Sequence, residues 1–316
     1  MAKEERTKRK RKWSRDDTEL TLLGLPTYIW FICFSYLPMF GIIIAFKKLT
    51  FKQGHGFIYN LFTSEWCGLD NFQFLFKSSD AFIILRNTIL YNVVFICLGL
   101  VIPVTLAILM SQLYNRKLAK ICQTCMFLPH FMSYVVVSYF VWAFLSYDKG
   151  FVNNLLLSMG SDPKQWYMEP AYWPFLVVFI NTWKGLGYGM VVYLATITGI
   201  DSTYYEAAII DGATKWQQSR YITLPMLRPI IAIMFIMSIG GIFRSDFGLF
   251  YQVPRNSPSL YNVVTTLDVY IYNALGQSTN VGMASAAAFM QSALGCIFLL
   301  VANTVVKRID SDAGLI

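Results

Sequence analysis

The sequence predicts an all-α integral membrane protein with six transmembrane helices and both termini in the cytoplasm. Three observations carry that expectation. The 316 residues are 56% hydrophobic and 16% aromatic but only 14% charged, whereas soluble domains carry about 25% charged residues. The apolar residues gather into six runs long enough to cross a bilayer, which takes ~20 residues as a helix. The loops and tails on the side of the termini hold sixteen Lys and Arg, and the opposite loops hold seven. The positive-inside rule therefore puts both termini in the cytoplasm.

Each element follows in order. Residues 1–20 form a basic cytoplasmic tail, disordered or lying on the membrane surface, which accounts for much of the net charge of +8. Such a tail ahead of a membrane helix is a topology signal and an anionic-lipid contact, and does not call for nucleic acid. The first helix, Leu22–Ala45, is too long for a signal-peptide core and lacks a small-residue cleavage site. Pro38 is expected to kink it. An aromatic external loop runs from Phe46 to Asp80. The second helix spans Thr88–Met110, and a basic turn at 115–120 leads into a third at Phe127–Leu145. The external loop 147–169 carries Trp166 and Tyr167, residues suited to an interfacial belt. The fourth helix is Tyr172–Ile200, the fifth Ile230–Phe250 and the sixth Val281–Val306. The membrane domain is thus 21–306, and 307–316 is a second cytoplasmic tail.

Between the fourth and fifth helices lies a polar island within residues 201–228. Thr203 and Glu206 read as a capping box, and a short helix continues through Ala207, Ala208 and Ile210. Gly212 is the expected left-handed stop, since glycine carries no Cβ penalty there. A second helical run includes Trp216 and Arg220, with Pro225 ending it.

Glu206-Ala207-Ala208, with Asp211, Gly212 and then Ile222-x-Leu224-Pro225 at the family spacing, resembles the EAA signature of binding-protein-dependent ABC importer permeases. Gly68-Leu69-Asp70-Asn71-Phe72, Arg86-Asn87-Thr88 and Leu128-Pro129-His130-Phe131 are similar to the carbohydrate branch, and in detail to permeases for complex oligosaccharides. The resemblance implies the type I importer, MetI-like permease architecture in a bacterial plasma (inner) membrane. It implies a second related permease, two ATP-binding subunits and an extracellular lipid-anchored or periplasmic solute-binding protein. The island becomes the loop that couples to the ATPase, with Glu206, Ala207, Ala208, Asp211, Gly212, Ile222, Leu224 and Pro225 as its residues. The sequence has no GxxxxGK[ST] phosphate loop, so no cofactor is expected in this chain, and ATP and Mg belong to the partner ATPase subunits.

Polar groups inside membrane helices usually face a bundle interior or a wet cavity. Asn181, Lys184 and Tyr188 share one face of the fourth helix, with Gly185, Gly187 and Gly189 beside them. They are candidates for the substrate pathway together with Arg244 and Gln291. A structural alternative stands beside each. Lys184 would bond carbonyls of a neighbouring helix, Arg244 would snorkel to the interface, and Gln291, like Asn303, would bridge helices. Tyr270, Tyr272 and Asn273 are candidates to stack on sugar or touch the binding protein. Cys122 and Cys125 form a lone CxxC, read as packing against a zinc or redox alternative. The competing function is a membrane enzyme acting on a lipid-linked or glycan substrate. His55 and His130 fall on opposite sides of the membrane, and no paired-carboxylate or metal-ligand spacing stands out. No catalytic or metal residue is therefore assigned.

Overall fold

A computed structural model describes residues 14–309 apart from 51, 53, 75–77 and 277–280. Of the two tails, residues 1–13 and 310–316 lie outside the described residues. Five helices are long and apolar enough to cross a membrane, or six spans if a bent helix pair counts as one.

The first span begins earlier than its apolar run. Ser14 and Asp17 form a reciprocal capping box, so α1 (Arg15–Phe31) starts in the charged stretch. It continues through a wide turn at Ile32–Tyr36 into a tightly wound stretch at Leu37–Phe46. Leu37 N–H reaches back to Ile32 O, so the donor missing at Pro38 is absorbed by a change in winding. Two short strands, β1 (Lys47–Lys48) and β2 (Glu65–Trp66), then pair antiparallel around α2 (Phe57–Thr63). Lys47 is buried. It donates to Leu61 O at 2.8 Å and Phe62 O at 3.1 Å, and its ammonium lies over the Trp66 ring.

The second span, α3 (Ser79–Ser111), is longer than predicted, starting just after the Ser78 cap and running through Pro103. The third is not one helix. It divides into α4 (Arg116–Phe127), a single tight turn at Leu128–Phe131, and α5 (Tyr134–Leu145), bent by 100°. Pro129 removes a donor from the turn, and Ser133 caps α5 by accepting from Val136 N. After α6 (Phe151–Ser158), the fourth span is α7 (Trp173–Thr198), within two residues of its predicted bounds.

The polar island forms α8 (Ser202–Ile210) and α9 (Lys215–Gln218). Here the fifth span departs from expectation. From α9 the chain passes through a wide turn at Ser219–Thr223 straight into α10 (Leu224–Gly240), so Pro225 does not end the helix. Leu224 N–H bonds Ser219 O, five residues back. That wide turn shifts the carbonyls, so a residue with no N–H continues the helix. The span also closes at Gly240, ten residues before the predicted Phe250, because Gly241 N–H and Ile242 N–H turn back to Ser238 O and Ile239 O. Arg244 and Asp246 consequently sit in a loop. The chain then forms α11 (Tyr261–Val264), α12 (Leu267–Gly276) and the last span, α13 (Val281–Ile309).

The α3 and α7 helices form the central packed pair. Their end nearer the island is filled by Val104, Ala107, Met190, Tyr193 and Leu227. The opposite end is filled by Tyr91, Trp173, Val177, Phe250 and Leu260. Gly187 allows α4 to approach α7, since a Cβ there would lie 2.1 Å from Met126 O.

Candidate functional site

The island is a helix–turn–helix held rigid from within. The start of α8 differs from the predicted Thr203–Glu206 box. Asp201 is the cap, accepting from Thr203 N at 3.0 Å, and that bond holds its carboxyl below the usual carboxylate range. Two residues of extra helix follow, because Asp201 in extended conformation satisfies an orphan amide, Thr203 N–H, ahead of the predicted cap. Glu206 is left exposed, free of any capping duty seen in the fold. The stop is as expected. Gly212 has φ +77, its N–H bonds Ile209 O at 3.0 Å, and Ala213 N–H bonds Ala208 O at 2.8 Å. That pair is a Schellman closure around a left-handed glycine. The reciprocal box lies one helix later, where Thr214 and Gln217 cap each other.

Tyr205 ties the two arms together, its hydroxyl 2.9 Å from that of Thr223. Gln112, at the end of α3, reaches Ser219. With its polar interior engaged, the hairpin turns apolar groups outward. Ile210 is 86% exposed and Trp216 72%, with Tyr204 and Ile209 also exposed. Ala207, Asp211 and Leu224 are exposed beside them, while Ala208, Ile222 and Pro225 are half-buried. A rigid, mixed apolar–acidic surface of this kind suits a protein partner.

The membrane candidates fall into three places. Asn181, with Asn92, Ser238 and Asp246, lines a cleft of about 280 Å³. Asn181 and Tyr188 also line an adjoining cleft of about 200 Å³ with Thr182, whose hydroxyl is buried without a hydrogen-bond partner among the described residues. Lys184 donates to His130 O at 2.9 Å and lies 4.8 Å from the Tyr134 ring centroid. It therefore ties off the carbonyl at the break of the third span, the bond foreseen in the structural alternative. His130 stacks on Tyr188 at 4.9 Å. Arg244 is exposed in its loop, and its backbone carbonyl accepts from Asn92 at 2.9 Å. Gln291 is elsewhere and buried, donating to Phe243 O at 2.8 Å and to the Asp268 carboxylate at 3.1 Å.

Asp268 was not singled out from sequence. Its carboxylate also accepts from Ser245 N at 2.6 Å and Ser245 Oγ at 2.9 Å, so it pins the loop that carries Arg244 and Asp246. Arg86-Asn87-Thr88 works in parallel. Asn87 donates to Asn262 O and Thr265 O, Arg86 to Asn262 O, and Thr88 accepts from Leu267 N. These three consecutive polar residues hold the 262–267 segment against α3. Asn153, buried on α6, accepts from Lys164 N and Trp166 Nε1 and donates to three carbonyls. Trp166 and Tyr167 are half-buried, with Tyr167 packed against Trp142 and Trp173. Tyr272 packs on Phe247 and Tyr251, and Tyr270 stacks on Phe74. Cys122 and Cys125 are free thiols, and no metal-competent His/Cys/Asp/Glu group occurs among the described residues.

The fold and the outward hairpin define a multi-pass α-helical membrane protein that presents a preformed helix–turn–helix at one end. Residues 99–311 match the family described as "Binding-protein-dependent transport system inner membrane component", and the chain belongs to it. It is 30% identical over 302 residues to Protein LplB of Bacillus subtilis (strain 168), covering 94% of this chain and 91% of that protein. It is also 30% identical over 293 residues to the polygalacturonan/rhamnogalacturonan transport system permease protein YteP of the same organism, covering 93% and 89%. Among solved structures it is similar to a chain of a bacterial ABC transporter involved in the import of the acidic polysaccharide alginate. That match has a TM-score of 0.83 and 32% identity over 93% of this chain and 97% of that one. The family is one of transport components, which sets aside the membrane-enzyme reading.

Proposed function

We propose that this permease supplies half of a translocation pathway for a sugar or oligosaccharide. It pairs with a second related permease and takes work from two ATP-binding subunits through residues 201–228. In this reading the chain crosses a bacterial plasma membrane six times, the bent α4–α5 pair counting as one crossing. The excess of Lys and Arg puts both termini and the hairpin in the cytoplasm. The opposite loops then receive the sugar from an extracellular solute-binding protein. A solved relative in complex with an alginate pentasaccharide-bound periplasmic protein supports that arrangement. The printed substrates of the relatives, alginate and polygalacturonan among them, support an oligosaccharide cargo.

The observation that carries the proposal is the hairpin itself, in which Gly212 closes α8 and leaves Glu206, Ile210 and Trp216 outward. Glu206 contributes register and charge to the ATPase contact, and the apolar residues contribute area. For the pathway, irregular backbone at membrane depth is tolerated where it is buried in protein or lines a cavity. The broken third span therefore favours a route past Asn181, Lys184 and Tyr188, with Arg244 at its outer mouth and Gln291 supporting the wall.

The test is reconstitution with both permeases, the ATPase and the binding protein in proteoliposomes, using a sugar panel. Glu206→Ala should lower sugar-stimulated ATP hydrolysis and uptake about ten- to a hundredfold, as expected for losing one charged contact of 1.5–3 kcal/mol. Wild-type rates in a correctly inserted Glu206→Ala complex would refute the assignment.

A further inference from the structure

A cleft lies behind the hairpin, away from its outward surface. It encloses about 750 Å³ and lies between the start of α4, the ends of α3 and α7, and the inner side of α8–α9. Its charged lining residues are Arg116, Lys120 and Lys215, and its lining contains no carboxylate. Arg116 and Lys120, one turn apart, share a face of α4. Lys215 comes from the hairpin wall, where its ammonium donates to the Gln112 carbonyl at 3.4 Å. Among the described residues none of the three cations has a carboxylate partner. Gln112, Tyr205 and Ser219 add neutral hydrogen-bonding groups.

Three solvent-exposed cations line one concave volume, and an anion entering it offsets the repulsion among them that solvent only partly screens. Arg116, the first residue of α4, lines the cleft at a helix N-terminus, which favours negative charge, whereas the start of α8 already carries the Asp201 carboxylate as its cap. Leu118, Ile121 and Cys125, on another face of α4, are exposed. That apolar stripe at i, i+3 and i+7 suits a helix lying at the lipid–water boundary. We propose that this cleft binds a phosphate group, which bridges α4 to the helix–turn–helix through Arg116, Lys120 and Lys215. The phosphate is carried by an anionic lipid headgroup or by a soluble phosphate compound. Phosphate matches the site because it offers several acceptor oxygens to donors on opposite walls, and basic pockets between membrane helices hold lipid phosphates in this way. Under the coupling reading, occupancy would stiffen the hairpin from behind. The binding itself does not depend on that reading.

The intact transporter complex, purified in detergent, would be acetylated with a lysine-specific reagent and mapped by peptide mass spectrometry. Lys117, on the same helix but outside the cleft, is the internal reference. Dioctanoyl phosphatidylglycerol, inorganic phosphate and chloride would be compared at matched ionic strength. Protection of Lys120 and Lys215 by about fivefold or more relative to Lys117 is expected. Protection by the lipid alone assigns a headgroup, and protection by inorganic phosphate assigns a soluble compound. Arg116→Gln should raise the half-protecting concentration about tenfold, as for loss of one charged contact, with assembly followed by size exclusion. Lys120→Gln, read at Lys215, gives the same test if Arg116→Gln fails to assemble. Equal protection by chloride, equal protection of Lys117, no protection, or insensitivity to these substitutions would overturn the proposal. None of these readouts uses ATP hydrolysis, so failure here leaves the role of Glu206 untouched.

Discussion

Gly187→Ala is the sharpest probe of how the bent α4–α5 pair is held. A Cβ at this position would lie 2.1 Å from Met126 O, 2.5 Å from Met126 C and 2.6 Å from Phe127 Cα. Ordinary contacts begin at 3.4 Å, and all three atoms are backbone, so no side chain can swing aside. The α4 and α7 helices must part by about 1 Å, which forfeits dispersion along the whole contact. Overpacking of this kind costs about 1–3 kcal/mol, and the rigid neighbours place this case near the upper figure. At 2–4 °C per kcal/mol, thermal unfolding should fall by roughly 5–10 °C. Unfolding followed by fluorescence-detected size exclusion would measure it. Gly185→Ala, two residues away with nothing within 4 Å of its added carbon, should unfold at or slightly above the wild-type temperature, since alanine is the better helix former. Equal midpoints for the two variants would refute close backbone contact at Gly187.

Two further outcomes follow from the same geometry. Lys184→Ala removes the bond to His130 O and the contact over Tyr134, so uptake should drop about tenfold or more while the complex still assembles. Unchanged uptake by an assembled variant would remove Lys184 from both the pathway and the lock on the break. At Asp201, the folded-state carboxyl sits below its unfolded value because it accepts from Thr203 N–H. A depressed carboxylate stabilises above the unfolded pKa, and that contribution disappears as pH falls through the folded one. Amide exchange at Thr203–Glu206, corrected for intrinsic rates, should therefore accelerate on acidification in the wild type. Asp201→Asn, whose amide caps without titrating, should flatten that dependence, and identical pH profiles would count against the cap.

The sequence by itself determined the membrane class, five of the apolar crossings and the hairpin with its stop at Gly212. Those features rest on local chemistry, namely unbroken apolar length and a glycine where φ must be positive. Its errors fall where local signals compete with distant partners. Thr203 and Glu206 have the letters of a capping box, but Asp201 caps the helix two residues earlier by accepting from Thr203 N–H. Pro225 has the character of a stop, yet a wide turn at Ser219–Thr223 carries the helix past it. Nor did hydropathy reveal the 100° break, because Phe127–Leu145 reads as one mostly apolar run that Pro129, His130 and Ser133 interrupt only locally. The break persists because Lys184, 54 residues away in sequence, bonds the carbonyl it frees. The same reason hides Asp268, whose partners Ser245 and Gln291 each lie 23 residues off. Only the tertiary structure decides which buried polar group answers which, because satisfying such a group depends on distance in space and leaves no periodic trace along the chain.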